Sequence, residues 1–119
     1  MLTGCSVSSS AELQGKYVAH YSFGSEELIL KPGGTYEQII HVKGDPEPIV
    51  SVGTWTYYRD WPQGRVEFTN FRAIADMQGN LIKKYRTTET GNARLPVERQ
   101  FLVGRIRLGP DVQGTHVKE

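Results

Sequence analysis

From Gly15 onward, apolar and polar residues alternate with the two-residue period of a half-buried β-strand, in short runs broken by Gly, Pro, Asn and Asp. The candidate strands are 15–22 (GKYVAHYS), 26–31 (EELILK), 35–42 (TYEQIIHV), 49–58 (IVSVGTWTYY), 65–70 (RVEFTN), 80–88 (NLIKKYRTT), 97–108 (VERQFLVGRIRL) and 115–118 (THVK). No stretch of helical length carries a 3.6-residue apolar period free of Gly, Pro and strand-forming runs. The pattern predicts an all-β chain, an antiparallel meander of about eight strands that closes into a small barrel.

One hairpin fixes its own register. Leu28 and Leu30 must share a sheet face with Tyr36, Gln38 and Ile40, because paired strands place matching parity on one side. Pairing Leu30 with Tyr36 meets that condition and makes Lys31 and Thr35 the last pair. Pro32, Gly33 and Gly34 then form a three-residue loop, with Gly34 left-handed in a G1 bulge and Gly33 under less constraint. Two segments lack a strand pattern. In 71–80 (FRAIADMQGN), Met77 to Asn80 would close another hairpin or Ala73 to Met77 would form a helical turn; 89–96 (ETGNARLP) reads as a long polar loop. Any gate over an opening is expected in one of these two loops.

Composition narrows the class. A chain of 119 residues is one domain, too short to divide into halves that each bury a core. Its net charge of +1 lacks the basic excess that phosphate binding requires, so nucleic acid is not expected as a partner. Three basic and six acidic side chains in 1–58 face eleven and seven in 59–119, an asymmetry that a meander mixes over one surface. No run of about 18 apolar residues is present to span a bilayer as a helix, and one cysteine forms no internal disulfide.

That cysteine stands fifth, in the order Leu2, Thr3, Gly4, Cys5, ahead of Ser6, Val7, Ser8, Ser9 and Ser10. The tetrad resembles the lipobox of bacterial lipoproteins, in which cleavage precedes a cysteine that is then acylated. The charged and apolar stretches that precede such a box are reduced to Met1 and Leu2, so the start is expected to be truncated. The resemblance implies a lipid anchor at Cys5, a flexible tether over 1–11 and a single barrel domain over 12–119. It implies a cell-envelope location, with Ser6 after the cysteine favouring the outer membrane facing the periplasm. The cytoplasm is the alternative if the match is fortuitous.

Gly15 with Tyr17, and Gly53 with Trp55, repeat one spacing, and more aromatics follow each pair. These motifs resemble the Gly-any-Trp signature of lipocalins and other calycin barrels, in which the glycine lets a large ring fold over the barrel end. The implied fold is a small lipocalin-like barrel. If it binds a small apolar ligand, the contacts expected are Tyr17, Tyr36, Gln38, Trp55, Tyr57 and Phe68, centred where Tyr17 and Trp55 meet. Trp61, between Asp60 and Pro62, is the expected contact for an envelope partner.

Catalytic constellations are scarce. His20, His41 and His116 are far apart in sequence without a second ligand at metal spacing, and are expected on exposed strand or tail positions. Glu26 and Glu27 are adjacent, so on a strand they point to opposite faces and cannot act together on one substrate. No glycine spacing matches a phosphate loop and no serine sits on a nucleophile elbow. The expectation is a non-enzymatic envelope lipoprotein without metal or cofactor, binding a small apolar ligand or an envelope partner. The alternative is an interaction module whose filled barrel takes no small molecule.

Overall fold

The β2–β3 hairpin forms in the register its alternation dictates. In the computed structural model, which describes residues 9–59, 64–76, 78, 80–87, 89–99, 106–111 and 114–119, Leu30 pairs with Tyr36, and the Lys31 amide donates to the Thr35 carbonyl at 2.9 Å. The two strands are β2 (Gly24–Leu30) and β3 (Thr35–Val42). Leu28, Leu30, Tyr36, Gln38 and Ile40 all face inward and are buried. The loop departs from expectation in one respect. Gly33 (φ +88°) and Gly34 (φ +87°) are both left-handed, and the Gly34 amide reaches back to the Lys31 carbonyl at 3.4 Å. That is the geometry of a type II turn with Pro32 leading and Gly33 third, so Gly33 is as constrained as Gly34.

The remaining strands are β1 (Gly15–Tyr21), β4 (Ile49–Tyr58), β5 (Arg65–Arg72), β6 (Thr90–Arg99), β7 (Ile106–Asp111) and β8 (Gly114–Lys118), after a 3₁₀ turn at Ser10–Leu13. Each strand pairs antiparallel with the next, giving a curled all-β meander in which β8 returns to β1 through Tyr17↔Lys118 and Val18↔Val117. No helix among the described residues is long and apolar enough to cross a membrane.

Two strand assignments change. Of the expected strand 80–88, the described residues 80–87 are not a strand: Leu81 makes a single bridge to Ala75, and 83–87 form turns. The strand lies instead in the segment expected to be a polar loop, as β6. Its alternation was hard to read because it opens on Thr90, Gly91 and Asn92 and carries buried apolar side chains only at Leu95 and Val97, on either side of Pro96. The run 97–108 is likewise two strands. Val97↔Leu108, Glu98↔Arg107 and Arg99↔Ile106 place β6 and β7 side by side, so the chain reverses between them.

Inward side chains stack in rows set by the registers. Leu30 and Tyr36 are level with Gly53; Tyr17, Leu28, Gln38 and Ser51 form the next row; Ala19, Glu26, Ile40 and Ile49 form the third. Leu13 from the 3₁₀ turn joins Tyr17, Leu28, Leu30, Tyr36, Trp55, Val66, Phe68, Phe71, Leu95, Val97 and Leu108 in the main apolar cluster. A second, separate cluster at the other end holds Ile40, Val42, Ile49 and Ile74.

Candidate functional site

The six residues expected to contact a ligand are accounted for as follows. Tyr17, Tyr36, Gln38, Trp55 and Phe68 are buried, at 6 % exposure or less, and Tyr57 packs partly buried against the same cluster. The polar atoms of Tyr17, Tyr36 and Trp55 are engaged within the protein. Tyr17 Oη donates to the Leu13 carbonyl (2.8 Å), Tyr36 Oη to the Thr69 carbonyl (2.7 Å) and Trp55 Nε1 to the Lys31 carbonyl (3.0 Å). Tyr36 and Phe68 meet edge to face at 4.8 Å between ring centres. Gly53 is needed where it stands, because a side chain there would collide with the Thr69 carbonyl and the Tyr36 ring. Tyr17 and Trp55 thus belong to one packed end, closed by the 3₁₀ turn and the β2–β3 loop. Cys5 and Trp61 lie outside the described residues.

The opposite end holds polar groups that the strand pattern did not single out. Glu26 points inward and Glu27 outward, as adjacency requires, and Glu26 is fully buried. Its Oε1 accepts from Tyr21 Oη at 3.0 Å and its Oε2 from Gln38 Nε2 at 2.8 Å. His116, expected on an exposed position, is fully buried instead, and its Nε2 lies 3.2 Å from Glu26 Oε2. That contact is at ion-pair distance but off the line of a hydrogen bond, and His116 Nδ1 has no hydrogen-bond partner among the described residues. His20 and His41 are exposed, as expected. The misplacement of His116 has a physical cause: β8 is too short for its alternation to be legible, and burial follows from its pairing with Leu108 on β7.

Above this centre the chain crosses the end of the sheet. Gln38 forms a two-bond pair with the backbone of Arg72, donating from Nε2 to the carbonyl and accepting at Oε1 from the amide, each at 2.9 Å. The side-chain amide thereby imitates a ladder step and directs the chain inward after β5. Ile74 follows, fully buried against Ile40, Val42 and Ile49, with Leu81, Tyr85, Tyr21 and Phe23 packed around it. The reversal closes as the hairpin alternative anticipated, through Ala75↔Leu81 and an Asp76 carboxylate that accepts from the Gln78 and Asn80 amides. Met77 and Gly79 lie outside the described residues.

A surface latch holds this strap to the β3–β4 connection. Asp45 Oδ2 accepts from Tyr85 Oη and Arg86 Nε, both at 2.8 Å, and Arg86 Nη2 also donates to the Glu47 carbonyl. Tyr85, then Arg86 and the Glu47 amide, hold the Asp45 carboxyl below its usual range, while the hydrogen bond to Asp45 raises the Tyr85 hydroxyl. Two open depressions border the same end. One of about 410 Å³ is lined by His20, Tyr21, Ser25, His41 and Lys43 among others, and one of about 620 Å³ by Asp45 and residues 83–87. Tyr21 lines the first while its hydroxyl reaches Glu26, so one side chain joins the surface to the buried centre. Comparison of the chain with family models, curated proteins and solved structures finds no match.

Proposed function

We propose that this chain is a non-enzymatic cell-envelope lipoprotein, anchored through Cys5 and a serine-rich tether, whose small closed lipocalin-like barrel acts by binding. Closure is supported by the β1–β8 pairing, and the lipocalin-like reading by the twin Gly15–Tyr17 and Gly53–Trp55 motifs that fill one end. The binding site is proposed at the strap end. The observation that carries this is Tyr21, which borders an open depression and donates to a buried carboxylate, whereas the Tyr17–Trp55 end is packed and its polar atoms are engaged. Beneath the strap Ile40, Val42, Ile49 and Ile74 form an apolar cluster beside Glu26 and Gln38, and apolar walls with a few polar groups suit a small apolar molecule carrying one hydrogen-bonding head.

A thermal-melt screen of fatty acids, isoprenoids and aromatic metabolites tests this. A true ligand raises the melting midpoint saturably, since binding only the folded state stabilises it, and loses most of that effect in Glu26→Gln. A ligand equally effective on Glu26→Gln, and shifting Trp55 emission in a Trp61→Phe background, would move the site to the other end. For the anchor, an acyl probe should label the full-length product in its host and not Cys5→Ser.

The filled-barrel alternative draws on a specific observation too, the near-complete burial of Tyr17, Tyr36 and Phe68. On that reading the barrel is a rigid platform, and no compound in the screen shifts the midpoint.

A further inference from the structure

We infer that the strap formed by Ala73–Asp76 and Asn80–Thr87 is a removable closure, with Ile74 as its plug and Asp45–Arg86 as its latch, that opens independently of the main core to admit molecules to Glu26, Gln38 and His116. The inference rests on the strap-end site proposed above and adds its gating.

Three features of the structure lead to it. First, the strap contributes Ile74, Leu81 and Tyr85 to the smaller apolar cluster and none of these to the main one, so lifting it leaves the packing around Tyr17, Tyr36 and Phe68 in place. Contiguous units of that kind open sub-globally, at lower cost than global unfolding. Second, much of the polar attachment is at the surface. Asp45, Tyr85 and Arg86 are half-buried or exposed, and exposed charge pairs hold weakly. Third, what the strap covers is costly to keep dry. Glu26 and His116 are fully buried, and His116 Nδ1 makes no hydrogen bond among the described residues. Water admitted on opening would satisfy that nitrogen and solvate the carboxylate, offsetting part of the apolar area lost with Ile74. Closure therefore pits Ile74 with Leu81 and Tyr85, the Asp45–Arg86 latch and the Arg72 guanidinium, which donates to the Tyr85 and Arg86 carbonyls, against the hydration of a buried polar centre.

Carbethoxylation by diethyl pyrocarbonate reads the opening directly, because it marks histidines that reach solvent and this chain has three: His20 and His41 exposed, His116 buried. Initial rates are followed at each histidine by peptide mass in the wild-type chain, in Arg86→Ala, which removes the latch from the surface, and in Val66→Ala, which weakens the main core. The closure predicts that Arg86→Ala speeds His116 about two- to five-fold, the range expected for losing a weak surface attachment, while His20 and His41 keep their rates. Val66→Ala should leave His116 near its wild-type rate. An unchanged His116 rate in Arg86→Ala, or a rise in Val66→Ala that matches the loss of global stability, would overturn the proposal. The readout needs no ligand. A strap that opens while no compound raises the melting midpoint keeps the closure and removes only the ligand reading.

Discussion

Glu26 and His116 are the residues at which packing alone is a poor explanation. A carboxylate and an imidazole sit side by side with no exposure, on strands otherwise lined by Leu, Ile and aromatic side chains. Removing Glu26 takes the carboxylate away from His116, and losing one member of a buried charged pair costs about 3 to 5 kcal/mol, whereas replacing both with apolar groups is far milder. Urea melts should therefore find Glu26→Leu strongly destabilised and the Glu26→Leu/His116→Leu double variant nearer the wild type; equal, additive losses would mean that the two side chains are independent. Tyr36 gives a second residue-level prediction. Burial, reinforced by the Glu26 carboxylate, pushes its hydroxyl above the ordinary tyrosine range. The folded state favours the neutral ring, so this contribution is complete below the ordinary value of about 10 and is lost as the pH rises through the higher folded one. Spectrophotometric titration should leave Tyr36 among the tyrosines still un-ionised in the folded chain at about pH 11, and Tyr36→Phe should lower that number by one. Parity made Gln38 legible as an inward residue in the sequence and set Glu26 and Glu27 on opposite faces. The meeting of Glu26 and Gln38 was not legible, because it needs β2 and β3 in register and β8 beside them.

Among the elements, those with strong alternation and distinctive turns could be read, and those with few apolar positions could not. β2, β3 and β4 carry large apolar side chains inward at Leu28, Leu30, Tyr36, Ile40, Ile49 and Trp55, whereas β6 opens on Thr90, Gly91 and Asn92 and shows its period only at Leu95 and Val97. The β2–β3 loop shows the limit of turn reading: its length was legible, but the conformation of Gly33 depended on which turn Pro32 initiates. With both glycines at positive φ, Gly33→Ala and Gly34→Ala should each cost about 1 kcal/mol, measurable by denaturant melts. A negligible effect of Gly33→Ala would restore the G1-bulge geometry first expected. The strap adds a pH dependence of known sign. Asp45 is held below its usual range, so its contribution is present above the ordinary carboxylate value of about 4 and is lost as the pH falls through the lower folded one. Protection of the Ile82 amide, which donates to the Ile74 carbonyl at 2.9 Å, should stay level on acidification until below about pH 4 and then fall. In Asp45→Asn it should start lower and lack that step.

At the scale of the whole molecule, the curled meander divides into a packed end and a strapped end, and the proposed site lies at the second. Sequence reading placed the site at the first, because the Gly-any-aromatic motifs are conspicuous and a ring lining a pocket has the same pattern as a ring filling a core. Only the three-dimensional placement of the polar atoms separates the two cases: at the packed end the Tyr17 and Tyr36 hydroxyls and the Trp55 indole nitrogen are bonded to nearby carbonyls, while at the strapped end Tyr21 reaches from a surface depression to a buried carboxylate. The central claim is that these ends are energetically distinct. Native-state hydrogen exchange over low urea concentrations, in wild type and in Val66→Ala, tests it most directly. The Asp76 and Ile82 amides of the strap should exchange through an opening that is insensitive to urea and unchanged by Val66→Ala. Ladder amides of β1, β2 and β3 should exchange only through global unfolding and lose about 2 kcal/mol of protection in that variant. Strap and ladder amides converging on one urea-dependent free energy, lowered equally by Val66→Ala, would show a single cooperative unit and contradict the account.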